Sequence, residues 1–121
     1  MSAALQASLF DAVTPAQRRR ERERLQQRLE PITLALAERR GPEGVIAADV
    51  ISEAVVRGLL TGQEWRSAPR AYSWVGPWLA SLARAGKLAP KMAGPVHARR
   101  KSDREASHSN SQLVYVAPRF A

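Results

Sequence analysis

The spacing of apolar residues in the first forty positions predicts helices with narrow inner faces. Thr14 begins a capping box with Gln17, and the proline between them suits the first position of a helix. In the charged run that follows, only Leu25 and Leu29 form an apolar pair at helical spacing. Pro31 is expected to break or restart the helix, so we expect the charged run to be helical only if it docks, dimerises or continues into the next helix.

Two further stretches are predicted to be helical before the middle of the chain. Ile32 to Arg40 is predicted as a helix that stops at Gly41-Pro42, and Val45-Ile46 as a short extended stretch. Asp49 can cap a helix that runs from Val50 to Leu60. Its predicted buried stripe recurs every four residues and holds Ile51, Val55 and Leu59.

A third predicted helix runs from Arg70 to Ala85 and ends at Gly86, a residue type common just after a helix. Because Pro77 is unfavourable inside a helix, either the helix starts near Ser73 and the proline lies in its first turn, or the helix is kinked. The predicted inner face holds Val75, Trp78, Leu79 and Leu82. All three tryptophans, Trp65 included, are predicted to be packing residues rather than base-stacking platforms.

The C-terminal third predicts two strands and a polar loop. Lys87 to Ala89 opens one strand, which Val96 to Arg99 can prolong. Gln112 to Ala117 forms the other, because its apolar residues alternate between two faces. One face holds Leu113, Tyr115 and Ala117, and the other holds Val114 and Val116. The loop between the strands, Arg100 to Ser111, contains no apolar residue except Ala106.

This order of elements is that of a winged helix-turn-helix. We therefore expect a mainly α fold with a small β-hairpin (α+β), in which an extra N-terminal helix precedes the winged helix. The expected divisions are a flexible tail over 1–14, a charged helix over 15–30 and a winged-helix domain over 31–121, with its wing at about 87–117. A chain of 121 residues has room for one core of ordinary size.

The net charge and its distribution indicate which class of partner this fold binds. The chain has 19 basic and 11 acidic residues, a net charge of +8, and residues 71–121 supply +6 of it, from eight basic and two acidic side chains. This balance favours a polyanion, with nucleic acid first and an anionic membrane surface second. No apolar run is long enough to span a bilayer, and the N-terminus has no basic signal region, so we expect a cytoplasmic, nucleoid-associated protein.

Duplex DNA is accordingly the expected partner. In a winged helix the third helix enters the major groove, and the hairpin tip lies along the backbone or in the minor groove. The candidate DNA-binding residues are Arg70, Tyr72, Ser73, Ser81, Arg84, Lys87, Arg99, Arg100, Lys101, Arg104, His108 and Asn110. Two alternatives stay open: the basic loop is only solvated, or the fold serves protein contacts alone.

The N-terminal tail carries a second signal. Gln6-Ala7-Ser8-Leu9-Phe10 resembles the pentapeptide by which many bacterial replication and repair proteins bind the DNA polymerase sliding clamp. By that resemblance, Gln6 would hydrogen-bond at the rim of the cleft, and Leu9 and Phe10 would fill an apolar pocket. The alternative is that Leu9 and Phe10 pack against the protein's own core.

The whole chain also resembles a loose group of small phage and prophage proteins that begin with a Leu-Phe-Asp tail and end in a winged helix. The segments that carry the resemblance are Leu9-Phe10-Asp11, Ala47-Ala48-Asp49-Val50, Pro69-Arg70-Ala71, Ala83-Arg84-Ala85-Gly86-Lys87-Leu88, Ser107-His108 and Val114-Tyr115-Val116. The resemblance implies DNA-associated work in a mobile element, in transcription or replication control, and implies no reaction.

Nothing in the sequence predicts catalysis. The chain has no cysteine, which excludes a disulfide scaffold and a thiol nucleophile. No third ligand or paired carboxylate keeps a metal-binding or catalytic spacing with His97 or His108. The seven glycines are scattered and form no phosphate-binding loop. We therefore expect no enzyme activity, metal or cofactor.

Two rival functions remain at this point. In the first, the chain binds and inhibits a host replication or transcription component such as the sliding clamp. In the second, it is a dimeric architectural protein that uses the helix at 15–30 for pairing.

Overall fold

The computed structural model describes residues 14–62, 72–102 and 111–121. These residues form a mainly helical α+β fold with small antiparallel strand pairs, which confirms the predicted class. The helices are α1 (Pro15–Arg40), α2 (Ala47–Val56) and α3 (Val75–Arg84). The strands are β1 (Ala89–Pro90), β2 (Met92–Ala93), β3 (Val96–His97), β4 (Arg99–Lys101), β5 (Ser111–Leu113) and β6 (Tyr115–Val116). Short 3-10 turns lie at Gly41–Glu43 and Pro118–Phe120.

Helix α1 begins as predicted and then continues further than predicted. The backbone N–H of Gln17 donates to the Thr14 hydroxyl over 3.1 Å, and the Thr14 N–H donates to the Gln17 side chain over 2.8 Å. The expected break at Pro31 is wrong, because the helix runs through it without interruption. Pro31 lies on the exposed side, while Leu29 and Thr33 are fully buried on the other. Packing of that buried side outweighs the single helical hydrogen bond that proline cannot donate.

Helix α2 starts earlier and ends earlier than the sequence predicts. Its first residue is Ala47, and Asp49 acts from inside the first turn, where its carboxylate accepts from the Ile46 N–H over 3.1 Å. The N–H of Ala48 donates to the side chain of Gln112 over 2.9 Å. A side chain 64 positions away in the chain therefore holds the first turn, and a local sequence pattern does not reveal such a contact.

Helix α3 starts at Val75, so that Pro77 lies in its first turn. This confirms the shorter of the two predicted arrangements, because amide groups in the first turn need no helical partner. At the other end Gly86 has a φ of +77° and its N–H donates to Ala83 over 3.0 Å. The N–H of Lys87 donates to Leu82 over 2.9 Å, which completes a Schellman motif.

The core lies between the three helices and strand β6. The predicted inner face of α3 is confirmed, since all four of its residues are buried. Of the tryptophans, Trp78 is buried in the core and Trp74 packs against it, edge-on to Trp78 at 6.0 Å. Trp65 lies outside the described residues. The largest fully buried side chains are those of Leu29, Leu79, Leu88, Val45, Val50, Val75, Val116 and Thr33.

The C-terminal strands form a forked ribbon rather than the single hairpin predicted. Strands β1 and β6 pair antiparallel as the stem, and two arms leave it: β2 with β3, and β4 with β5. At the fork the N–H of Lys91 donates to Val114, that of Val114 to Ala98, and that of Ala98 to Lys91, over 2.8–3.0 Å. Gly94, with a φ of +65°, supplies the turn between β2 and β3. The fork therefore arises because a glycine turn divides what the sequence presents as one strand.

Val45 connects the ribbon to the helices. Its N–H donates to the carbonyl of Tyr115 over 2.7 Å, and the N–H of Tyr115 returns a bond to Val45 over 2.9 Å. Strand β6 consequently lies between Val45 and β1. Among the described residues, no helix is both long enough and apolar enough to cross a membrane.

Candidate functional site

Strand β4 divides the basic run Arg99-Arg100-Lys101 between its two faces. Successive side chains of a strand point to opposite sides, and here the outer two are exposed while Arg100 is half-buried. Arg99 and Lys101 therefore lie on one face, about 6.6 Å apart along the strand. The Arg99 guanidinium makes one long hydrogen bond to the Ser111 carbonyl, at 3.4 Å. The Lys101 side chain makes no hydrogen bond or ion pair with any described residue.

Arg100, expected at the DNA, instead connects the ribbon to α2. Its guanidinium is hydrogen-bonded to the carboxylate of Asp49 and lies 3.4 Å from the Gly44 carbonyl. Arg40, at the end of α1, approaches the second oxygen of Asp49 at 3.7 Å. The carboxylate that accepts from Ile46, the residue just before α2, thus also binds two arginines, and we assign Arg100 a structural role.

A second acidic side chain on α2 binds two further arginines. Glu53 accepts from Arg39 over 3.1 Å and from Arg57 over 3.0 Å. The hydrogen bond from Arg57 lowers the pKa of the Glu53 carboxyl, and the Arg39 bond and the two positive charges act in the same direction against partial burial. These arginines are exposed but already paired with acids.

The predicted DNA-binding residues in and around α3 lie in different environments. Tyr72 keeps only 7% of its surface exposed and belongs to the core, so its expected place at the DNA is corrected. Ser73 is exposed in the turn before the helix. Ser81 is half-buried, and its hydroxyl donates within the helix to the Trp78 carbonyl over 2.6 Å. Arg84 is exposed, and its guanidinium makes no hydrogen bond or ion pair with the described residues.

Lys87 is a further exposed basic residue after α3, but its side chain is paired with an acid. Its ammonium lies 3.0 Å from the carboxylate of Glu30 on α1. Both side chains remain exposed enough for water to compete, and such surface pairs contribute little free energy. Lys91, at the fork of the ribbon, is a basic residue outside the predicted DNA-binding set. Its only sequence signal is its place in the basic C-terminal segment.

Arg84 also acts on the stem of the ribbon. Burial raises the pKa of the Tyr115 hydroxyl, and the positive charge of Arg84 opposes that rise.

Tyr115 and α3 border an open apolar groove of about 350 Å³. The groove is lined by Ala47, Gly76, Pro77, Leu79, Ala80, Gln112, Leu113 and Tyr115. Three of the four α3 residues in this lining, Gly76, Pro77 and Ala80, have small side chains.

Several predicted site residues lie outside the described part of the chain. They are Arg70, Arg104, His108 and Asn110 of the expected DNA surface, and Gln6, Leu9 and Phe10 of the expected clamp-binding tail. Within residues 14–62, 72–102 and 111–121, no group of three or more His, Cys, Asp or Glu side chains is arranged to hold a metal ion.

The described candidates that are exposed and have no acidic partner within residues 14–62, 72–102 and 111–121 are Arg84, Arg99 and Lys101, together with the uncharged Ser73. Comparisons of this chain with known protein families, with curated proteins and with solved structures each found no match.

Proposed function

We propose that this protein binds duplex DNA without catalysing a reaction, and that it does so as a winged helix. In this arrangement α3 enters the major groove, and the β4–β5 arm lies along the phosphate backbone. The protein would act in transcription or replication control, as its resemblance to small phage proteins implies.

The observation that carries the proposal is the pairing of Val45 with Tyr115. In a winged helix, a short strand before the second helix pairs with the last strand of the wing, and that strand pairs with the one that follows the recognition helix. Val45, β6 and β1 have this order here, with α2 and α3 between Val45 and β1 along the chain. The ribbon is consequently attached beside the end of α3.

Charge supports the same assignment. Arg99 and Lys101 share one face of β4, and their spacing of about 6.6 Å suits contact with successive phosphates of one strand. Arg84 adds an exposed cation in the last turn of α3. Exposed cations that have no acidic partner among the described residues bind a polyanion at little cost, because no ion pair seen there has to be broken first.

The test is duplex binding measured by fluorescence anisotropy from about 50 to 200 mM salt. We expect affinity to fall steeply with salt. Replacing Arg99 and Lys101 by Gln together should lower the slope of log K against log salt by about one unit per lost phosphate contact.

The matched control removes two charges elsewhere, with Arg57→Gln and Arg119→Gln. Both arginines are exposed and paired with acids, at the end of α2 and after β6 respectively. This variant should keep the wild-type slope. Absence of duplex binding by the wild-type protein at low salt would overturn the proposal.

A further inference from the structure

The first three turns of α1 project from the fold as a basic arm. Every residue from Pro15 to Arg24 is exposed, and the first partly buried side chain of the helix is Leu25. At about 1.5 Å per residue, this N-terminal arm (residues 15–24) is about 15 Å long. It carries five arginines and two glutamates, a net charge of +3.

No described side chain neutralises these arginines. The ion pairs of α1 begin at Glu30 and lie at its C-terminal half, with Glu38, Arg39 and Arg40. Glu21 and Glu23 form no ion pair with any described arginine. Arg18 and Arg22, and likewise Arg20 and Arg24, are spaced four apart and repel each other.

Four of the five arginines form two rows on opposite sides of the arm, and Arg19 lies between the rows. At 3.6 residues per turn, Arg18 and Arg22 lie about 200° around the helix from Arg20 and Arg24. The first row continues the stripe of Leu25 and Leu29, so it faces the same side as the core but lies beyond it. Within each row the guanidinium groups are about 6 Å apart along the axis.

We infer that this arm is a second nucleic-acid contact, which binds the phosphate backbone of the same duplex through both rows of arginines. The inference rests on the proposed DNA-binding function and adds a surface that the winged helix itself does not provide. A helix with cations on two sides can contact phosphates on both walls of a groove.

Other partners fit the arm less well. Its only apolar residues are Pro15 and Ala16, so it has no stripe of large side chains for pairing with a second copy. For the same reason it has no apolar face to insert at a membrane surface. A polyanion is the partner that its composition complements.

The test compares full-length variants that each lose two arm charges, Arg18→Gln with Arg22→Gln and Arg20→Gln with Arg24→Gln, and one that loses all four. Glutamine keeps helix propensity close to that of arginine. We expect each double variant to lower the salt slope by about one to two units, and the fourfold variant by about three. Replacing Glu21 and Glu23 by Gln should raise affinity.

Three outcomes overturn the inference, and they are distinguishable from failure of the proposed function. If the wild type binds duplex DNA but the fourfold variant keeps its slope, the arm makes no contact, while the function stands. Equal weakening by the Arg57→Gln, Arg119→Gln control would show a general charge effect. Arm-dependent binding to phosphatidylserine vesicles, with unchanged DNA binding, would assign the arm to a membrane instead.

Discussion

The imidazole Nε2 of His97 donates a hydrogen bond to the carbonyl oxygen of Val114 over 2.7 Å, at the fork of the ribbon. A carbonyl oxygen only accepts, so the proton lies on Nε2. The same carbonyl accepts the N–H of Lys91 over 2.9 Å. The His97 ring also stands edge-on to Tyr115, with ring centres 5.0 Å apart. One side chain therefore connects the β2–β3 arm to the stem.

We predict that His97→Ala loosens the fork and destabilises the fold by about 1–2 kcal/mol, the sum of one hydrogen bond and one aromatic contact. The Val114 carbonyl keeps its bond from Lys91, which limits the cost. Chemical denaturation measures the change, and hydrogen exchange at Ala98 and Val114 should become faster. Unaltered exchange at both amides would contradict the assigned role.

Gly44 should tolerate no side chain. A Cβ there would lie 2.5 Å from the Tyr115 carbonyl oxygen and 2.7 Å from a Val114 methyl group, and its φ is +72°. We expect Gly44→Ala to cost about 3 kcal/mol or more, because backbone strain adds to overpacking. Thermal unfolding is the measurement.

Gly58 is the matched control for that substitution. Its φ of +76° is similar, but nothing lies within 4 Å of an added Cβ. Gly58→Ala should therefore cost only the backbone strain, about 1 kcal/mol. If the two variants unfold alike, close contact with the last strand is not what requires glycine at Gly44.

Glu53→Gln should destabilise the protein in a pH-dependent way. The pKa of Glu53 is lowered in the folded state, chiefly by its hydrogen bond from Arg57. The ionised carboxylate therefore stabilises the fold fully above its ordinary pKa, and this contribution is lost as pH falls through the lower folded-state pKa. For an exposed pair we expect about 0.5–1 kcal/mol. Equal destabilisation at neutral and strongly acidic pH would contradict this.

Neighbouring arginines of β4 should separate stability from DNA binding. Arg100→Gln breaks the pair with Asp49 and should lower stability by about 1–3 kcal/mol. Arg99→Gln should leave stability within about 0.5 kcal/mol of wild type while weakening duplex binding. Chemical denaturation and fluorescence anisotropy of both variants test this prediction. Loss of stability in Arg99→Gln together with loss of duplex binding in Arg100→Gln would contradict the assigned roles.

Local signals explain the parts of the fold that were predicted correctly. The capping box at Thr14, the inner face of α3 and the glycine that ends it depend on residues within a few positions of each other. The alternation predicted for Gln112 to Ala117 is confirmed in part, since Tyr115 and Ala117 lie in the main core and Val114 in a second cluster, but the predicted strand divides into β5 and β6. The inner face of α3 and the alternation follow from helix and strand periodicity, and the two helix ends follow from the residue types at the caps.

The chain by itself thus determined which residues are apolar, at which period, and where the positive charge accumulates. Tertiary packing decided that α1 continues through Pro31, because the helix packs against the core both before and after the proline. It also decided that Arg100 binds Asp49 while Arg99 and Lys101 face outward, and that Tyr72 is buried. Those outcomes depend on contacts between residues far apart in the chain, whose energies a local pattern does not contain.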